Sequence, residues 1–342
     1  MEVVKKRKAK QNVINIAFVL LLLFLVMLSL YIGKYPLTIK EISQILLFKS
    51  LGKKGVWEPM AENVVLGLRL PRILAAILVG SSLSLSGATY QGIFKNPLIS
   101  PDFLGVSAGA CIGAAIAIIM SLSSTYIQLF AFFGGLLAVM LTLTIPKLIR
   151  SDSNIVLVLS GIVVSGAMSS IMGFIKYTAD PQKELATITY WQMGSFSYVS
   201  MGSIYSVLLP IVLSCLVLFV LSWWIDIVSL GEKEAKSLGV NVSYVRNITV
   251  ICATLLTASS ICIVGTIGWV GLVIPHFARM LAGPENPRLM PTSYLMGAIF
   301  MLIVDTINRT LGSAEMPISI LTGLIGAPFY GWLLYKQRMR LQ

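Results

Sequence analysis

The sequence predicts an all-α polytopic membrane protein with about ten transmembrane helices. Of its 342 residues, 56% are hydrophobic and only 12% are charged, whereas soluble domains carry about 25% charged residues. A water-soluble globule of this size would lack the ions to cover its surface, which excludes an ordinary cytosolic enzyme and a disordered chain. The apolar residues form long runs instead of alternating with polar ones, and such runs indicate helices rather than a β-barrel.

The apolar runs place the spans in order along the chain, since each helical span needs about 20 apolar residues. The first run follows a cluster of lysines and an arginine between residues 5 and 10, and it is too long for the core of a cleaved signal peptide. We therefore predict a retained first span behind a basic cytoplasmic tail, residues 1–12. The predicted spans are 13–33, 67–92, 103–120, 124–148, 154–177, 202–226, 244–266, 269–283, 290–312 and 318–336.

Most basic residues fall on the side of the membrane that an even number of spans puts in the cytoplasm. Lys95 follows the second span, Lys147 and Arg150 close the fourth, and Arg338 follows the tenth. The positive-inside rule therefore places both termini in the cytoplasm and residues 34–66 outside. The same rule accounts for the net charge of +12. In a soluble protein that charge would suggest nucleic acid binding, but here we predict no nucleic acid partner.

Three arginines depart from this pattern, because Arg69, Arg72 and Arg309 lie at the outer ends of the second and ninth spans. One interpretation is that their side chains reach up to lipid headgroups. The other is an outer positive rim that pairs with carboxylates of a partner or ligand, for which the guanidinium group is well suited.

Charged residues are almost absent from the middle of the spans. Carriers driven by protons or sodium place acidic residues or histidine there, whereas Asp226, His276 and Asp305 lie near span ends. The chain has no GxxxxGK[ST], HExxH or GxSxG motif, and its Cys and His residues show no metal-site spacing. We predict no catalytic residue, no metal and no cofactor. The four cysteines all lie in apolar runs and are interpreted as buried thiols.

The most polar segment on the cytoplasmic side is 229–241, where Gly231 and Gly239 bracket a short run of helix-forming residues. Its charged side chains are expected to face water, and its apolar residues Ala235 and Leu238 to face a partner. The segment is either a solvent-exposed connecting helix or a protruding helix that docks on a soluble motor subunit.

Several motifs along the chain resemble those of the FecCD family and occur in the same order as in that family. Its members are the membrane permeases of bacterial ABC importers for iron–siderophore complexes, haem and vitamin B12. Residues 230–241 resemble the coupling loop of the family. The stretch GTIGWVGLVIPHFAR at 265–279 is similar to its GxIxFVGLxxPHxxR signature. Further similarities are RLPR at 69–72, KNPL at 95–98, GVSAGA at 105–110, EMPI at 315–318 and GAPF at 326–329.

The resemblance implies a single permease domain over residues 1–342 in the bacterial plasma membrane. It also implies a second permease subunit, either an identical copy or a sister permease, around one central pathway. Two cytoplasmic ATPase subunits and an extracytoplasmic binding protein complete the expected assembly. ATP hydrolysis then belongs to the partners, and transport is expected to proceed by alternating access.

The resemblance further assigns roles to individual residues by their position in the motifs. It gives docking of the binding protein to Arg69, Arg72 and Arg309. It gives ATPase coupling to Gly231, Glu232, Glu234, Ala235, Leu238 and Gly239. It gives the cytoplasmic gate to Asn96, Leu98, Ser153 and Asn154, and pathway lining to Ser160, Ser165, Thr322 and Gly326.

The motifs do not distinguish the cargo. Because iron–siderophore transport is the commonest activity of the family, we expect an iron–siderophore, with haem, vitamin B12 and molybdate as alternatives. An ion-coupled secondary transporter would need a charged residue in mid-span, and an intramembrane enzyme would need a catalytic constellation. The sequence shows neither feature.

Overall fold

The computed structural model describes residues 2–52, 55, 57–150, 153–311 and 315–338. The described part is built from helices, with a π-helical segment at Asn63–Arg69 and a 3-10 turn at Pro101–Leu104. The α-helices are α1 (Glu2–Tyr31), α2 (Ile39–Ser50), α3 (Pro59–Glu62), α4 (Leu70–Ile93), α5 (Val106–Ile119), α6 (Ser124–Leu148), α7 (Asn154–Thr178), α8 (Glu184–Met193), α9 (Met201–Leu230), α10 (Glu232–Ser237), α11 (Val242–Val264), α12 (Val270–Ala282), α13 (Asn286–Thr310) and α14 (Ile318–Arg338).

Seven helical segments of the described chain are long and apolar enough to cross a membrane. Three shorter apolar helices, α5, α12 and the first part of α14, complete the set. These segments coincide with the spans predicted from the sequence, which confirms the prediction of an all-α polytopic protein. Helices α5 and α12 are short because non-helical residues precede each of them, the 3-10 turn before α5 and residues 265–269 before α12.

Helix α4 occupies the centre of the bundle, where α9, α11, α12 and α13 pack around it. Polar contacts join it to α11: the Ser86 hydroxyl donates to the Ala253 carbonyl at 2.9 Å and lies 2.8 Å from Thr257 Oγ1. One turn further on, the Tyr90 hydroxyl lies 3.0 Å from Thr254 Oγ1. Such interhelical hydrogen bonds help to hold helices together in lipid, where apolar burial does not distinguish a neighbour from the bilayer.

Glycines set the closest helix crossings. At the crossing of α4 and α13, a Cβ atom on Gly80 would lie 2.2 Å from the Gly297 carbonyl oxygen, and a Cβ on Gly297 equally close to the Gly80 oxygen. Helices α5 and α6 meet in the same way at Gly109 and Gly134, where the corresponding distances are 2.3 and 2.4 Å. Small residues in these positions let helix backbones approach closely.

Three helices of the described chain, α2, α3 and α8, lie outside the predicted spans and were not predicted. Helix α2 lies in the segment that the positive-inside rule places outside, and it begins with a capping box: Thr38 Oγ1 accepts from the Glu41 amide at 3.2 Å, and Glu41 Oε2 accepts from the Thr38 amide at 2.8 Å. Helix α8 lies between α7 and α9. The predicted burial of the four cysteines is confirmed, and all of them are free thiols.

The crossing of α4 and α13 generates a stability prediction. The Gly80→Ala variant is expected to lose about 1–3 kcal/mol of stability, because the added methyl group would overlap the Gly297 carbonyl oxygen. Thermal unfolding in detergent measures the effect. Gly166→Ala on α7 is the matched control, since no atom lies within 4 Å of its added Cβ, and it should be neutral or slightly stabilising. Equal melting temperatures for the two variants would contradict the glycine crossing.

Candidate functional site

Five charged residues converge at the outer end of the bundle and are called here the outer charge cluster. They are Arg69, Arg72, Asp305, Arg309 and Glu315. The three arginines are 4–8% exposed and Asp305 is fully buried, whereas the Glu315 side chain keeps 31% of its surface exposed. The cluster therefore has a buried interior and one carboxylate at its edge.

Arg72 holds the two carboxylates of the cluster. Its Nε donates to Asp305 Oδ1 at 2.7 Å, and its Nη1 lies 2.8 Å from both carboxylate oxygens of Glu315. The second Asp305 oxygen lies 3.7 Å from Arg309 Nε. Asp305 thus stands between two cations, an arrangement that compensates its charge in a buried site.

Arg69 and Arg309 anchor the outer end of α1. The Arg69 guanidinium donates to the carbonyls of Leu30 and Tyr35, both at 2.5 Å, and Arg309 Nη2 donates to the Ser29 carbonyl at 2.7 Å. The last carbonyls of a helix lack partners within the helix, and a cation at that end also favours the helix dipole. The two arginines therefore fasten α1 to α4 and α13.

The interpretation that Arg69, Arg72 and Arg309 reach lipid headgroups is wrong, because all three side chains are buried within the chain. They lie at the outer end of the bundle, as expected, but their guanidinium groups reach neither an open rim nor a lipid-facing surface. The reason is that Asp305, Glu315 and the end of α1 supply partners within the chain. The docking role of these arginines stays a prediction.

Glu315 connects the cluster to the loop between α8 and α9, because its carboxylate accepts a hydrogen bond from the Ser197 hydroxyl. Burial raises the pKa of Glu315, but the bond from Ser197 and the positive charge of Arg72 outweigh it, so the pKa lies below its ordinary value. The start of α14 joins the same loop, where the Ile318 amide donates to the Gly194 carbonyl at 3.0 Å. Glu315 is therefore ionised at neutral pH while its carboxylate remains partly open to solvent.

At the opposite end of the bundle, the short helix α10 follows α9 and contacts both α9 and α11. Gly231 and Gly239 flank it with φ angles of 144° and 77°, values that a side chain would disfavour. Lys236 and Glu232 form an ion pair of 2.8 Å along its exposed side. The hydrogen bond from Lys236 lowers the pKa of Glu232. The predicted turns at the two glycines match this geometry.

The structure separates the two apolar residues that were predicted to face a partner. Leu238 is 61% exposed, but Ala235 is fully buried and belongs to the hydrophobic core. The prediction for Ala235 is therefore wrong. A helix this short rests on the bundle through one inward position, and the alanine methyl group occupies it. The available surface consists of Leu238 and the charged side chains around it, including Glu232 and Glu234.

The predicted gate residues form two separate turns. Asn96 Oδ1 accepts from the Leu98 amide at 2.9 Å, which closes an Asx turn after α4 and leaves Leu98 42% exposed. Ser153 caps α7 by accepting from the Ile155 amide at 3.2 Å. The side chain of Asn154 lies outside the described residues. Asn96 and Ser153 border different cavities.

The predicted pathway residues face the chain's own helices. Ser160 and Thr322 are 3% and 0% exposed, Ser165 is half-buried, and Gly326 abuts Trp269. Other residues of α7 are exposed instead. They are Ile162, Val163, Gly166, Ser170 and Phe174. The spacing of Gly166, Ser170 and Phe174 by four residues is the helical signal that would have identified this face.

Residues 21–336 of the chain match the sequence model of the FecCD transport family. The chain belongs to the FecCD transport family. It is 39% identical over 319 residues to the molybdate import system permease protein MolB of Haemophilus influenzae, covering 93% of this chain and 94% of that protein. It is 40% identical over 275 residues to the "Probable iron chelatin transport system permease protein" of Helicobacter pylori, covering 80% and 83%.

The fold of the chain is also similar to that of a solved structure. It is described as an inward-facing conformation of a metal-chelate type ABC transporter. The two chains share 37% identity with a TM-score of 0.85, covering 95% of this chain and 99% of the other. The protein is therefore an ABC importer permease of the FecCD family and a multi-pass membrane protein.

The buried carboxylate of the outer charge cluster generates a second prediction. Asp305→Asn is expected to lower the free energy of unfolding by about 3–5 kcal/mol, because it leaves Arg72 and Arg309 without a full countercharge in a buried site. Glu285→Gln is the matched control, since Glu285 is exposed and pairs with Arg288 at 3.4 Å. Its effect should stay within about 0.5 kcal/mol. Similar unfolding transitions for both variants would show that Asp305 does not brace the cluster.

Proposed function

We propose that this chain carries an iron–siderophore across the bacterial plasma membrane, from an extracytoplasmic binding protein to the cytoplasm, with ATP hydrolysis supplied by separate subunits. The observation that supports the cargo class is the likeness to a metal-chelate type transporter over 95% of the chain. Similarity to the iron chelatin permease supports an iron complex as the member of this class. Molybdate is the second candidate, because the molybdate permease is 39% identical over 93% of this chain.

Uptake by cells tests the cargo. Host cells that lack the gene for this chain should regain uptake of iron from a labelled ferric siderophore when the gene is restored. They should not gain uptake of labelled molybdate. Inactivation of the ATPase subunit should abolish uptake. Molybdate uptake in place of iron uptake would select the second candidate. Uptake that survives loss of ATP hydrolysis but collapses with an uncoupler would support an ion-coupled carrier and refute both.

The composition of the spans suits a wide and weakly binding conduit. Each long span contains an apolar window with at most two charged residues, so a bulky chelate would meet few ionic side chains. The open face of α7 has small residues at Gly166 and Ser170 and a large apolar residue, Phe174, further along. We place the pathway along this face, between the chain and an identical or sister permease.

Helix α10 is the proposed contact with the ATPase. It lies on the cytoplasmic side, it is held to the bundle by Ala235, and it presents Leu238 beside charged side chains. If Leu238 binds in a groove on the ATPase, movement of the ATPase would displace α10. Because α10 contacts α9 and α11 directly, these two helices would move with it. Packed helices move as rigid bodies in such transitions.

The contact with the ATPase generates a prediction. Leu238→Arg is expected to weaken copurification of the ATPase subunits by tenfold or more, because loss of a buried apolar anchor costs about 2 kcal/mol and the new charge would be desolvated. Leu51→Arg is the matched control, since Leu51 is equally exposed at the end of α2 on the opposite side of the membrane. Unchanged copurification with Leu238→Arg would move the contact elsewhere.

The outer charge cluster is the proposed docking site for acidic side chains of the binding protein. Arg72 Nη2 has no hydrogen-bond partner within the described residues, and Glu315 is the half-exposed partner that an incoming carboxylate would displace. Charge reversal of the arginines would disrupt the anchoring of α1, so it would report stability and not docking. Glu315 is the informative position.

Glu315→Gln is therefore expected to tighten binding of the binding protein by about three- to tenfold, because it removes the carboxylate that competes for Arg72 and a partly exposed charge pair is worth about 1 kcal/mol. Binding to the reconstituted permease measures the change. Glu58→Gln on the same side is the control for charge alone. Weaker binding by Glu315→Gln would indicate that Glu315 itself contacts the partner, and equal binding would place docking away from the cluster.

A further inference from the structure

An exposed acidic residue, Asp102, lies in the 3-10 turn Pro101–Leu104 between α4 and α5. None of the roles discussed above uses it. The predicted third span begins one residue later, at 103, so hydropathy alone leaves Asp102 outside the membrane. Its carboxylate accepts a hydrogen bond from the hydroxyl of Ser107, in the first turn of α5. The neighbouring Phe103 is 37% exposed.

Two backbone contacts place this turn within the membrane. A Cβ atom on Gly161 of α7 would overlap the Phe103 carbonyl oxygen, and Gly161 lies about 10 Å along that helix from its cytoplasmic start. On the other side, a Cβ atom on Gly271 of α12 would lie 2.8 Å from Pro101 Cδ. Gly271 is about 16 Å from the cytoplasmic end of α12. The turn therefore lies well above the cytoplasmic ends of both helices.

An exposed carboxylate at this depth indicates a surface that faces water and not lipid. A charged side chain that faces hydrocarbon is costly, so ionisable residues within the membrane face the protein interior or a water-filled cavity. The same holds for backbone that is not helical, which occurs at this depth only where protein buries it or where it lines such a cavity. The turn packs against α7 at Gly161, on the helix along which we place the cargo pathway.

We propose that Asp102 lines the cargo pathway and makes it selective at this level, so that groups with positive charge or hydrogen-bond donors pass more readily than oxyanions. An ionised carboxylate only accepts hydrogen bonds, and it repels anions. The inference rests on the proposed function as an importer permease and deepens it. It favours a metal complex whose surface carries donors over molybdate as the cargo.

Thiol labelling of the assembled importer in proteoliposomes tests the site, with reagents applied from both sides of the membrane. Wild type should not react, because its four cysteines are buried. Phe103→Cys should react faster with cationic 2-(trimethylammonium)ethyl methanethiosulfonate than with anionic 2-sulfonatoethyl methanethiosulfonate, each rate being divided by that for a free thiol. Addition of Asp102→Asn should lower this cation-to-anion ratio by about fivefold, because one charge acts on the two reagents in opposite directions. Addition of Glu285→Gln is the matched control, since it removes an exposed charge at the cytoplasmic end, and it should leave the ratio unchanged.

Further variants separate a charge in the pathway from a structural role. Ser107→Ala removes the hydrogen bond to Asp102 but keeps the charge, so Phe103→Cys should retain its ratio in that background. A loss as large as that caused by Asp102→Asn would instead assign Asp102 to holding the turn. Ser107→Cys is the second probe, because it leaves the Phe103 ring in place, and its ratio should show the same dependence on Asp102.

Two outcomes would refute the proposal. Failure of both probe positions to react with either charged reagent would place the turn against lipid or the second permease subunit. Equal ratios with and without the Asp102 carboxylate would show that its charge does not act on the pathway. The labelling needs no cargo, so failure of iron uptake would refute the proposed cargo and leave the labelling result in force.

Discussion

The buried pair of Arg72 and Asp305 is the interaction on which the outer half of the bundle depends. A full charge removed from water is costly unless a countercharge and hydrogen bonds meet it, so each group requires the other. Asp305 also faces Arg309, which holds α1, and Arg72 also binds Glu315, which precedes α14. One carboxylate thus links α1, α4, α13 and the approach to α14, although several of these segments are far apart in sequence.

Different interactions stabilise the two ends of the molecule. The outer end is held by charges that are shared between helices, and its residues are mostly buried. The cytoplasmic end carries a short helix attached through one alanine and turns closed by local hydrogen bonds. An outer end of this kind resists deformation, whereas the cytoplasmic end leaves the charged side chains of α10 exposed.

The spans were predictable because lipid restricts the possibilities: about 20 apolar residues form a helix, and basic residues mark one side. Helix α2 could also have been predicted, because Thr38 and Glu41 have the spacing of a capping box. It was missed because hydropathy and charge patterns identify only the helices that span the membrane. The burial of Arg69, Arg72 and Arg309 was not predictable, since it depends on Asp305 and on carbonyls of α1 that only the folded chain brings near. The burial of Ala235 was missed for a related reason, because residue type alone does not reveal which side of a helix meets its neighbours.

The π-helical segment at Asn63–Arg69 has a consequence for how the chain tolerates changes in length. A π-helical turn holds one more residue than an α-helical turn, and this one ends at Arg69, directly above α4. The alignment of Gly80 with Gly297 is set below the segment, and so is the position of Arg69, which α4 follows directly. Loss of one residue before Arg69 would rotate α3 and the residues that precede it relative to α4, while leaving the α4–α13 crossing in place. The segment therefore separates the helical register of the outer residues from that of α4. Insertions or deletions can change the outer surface without repacking the core.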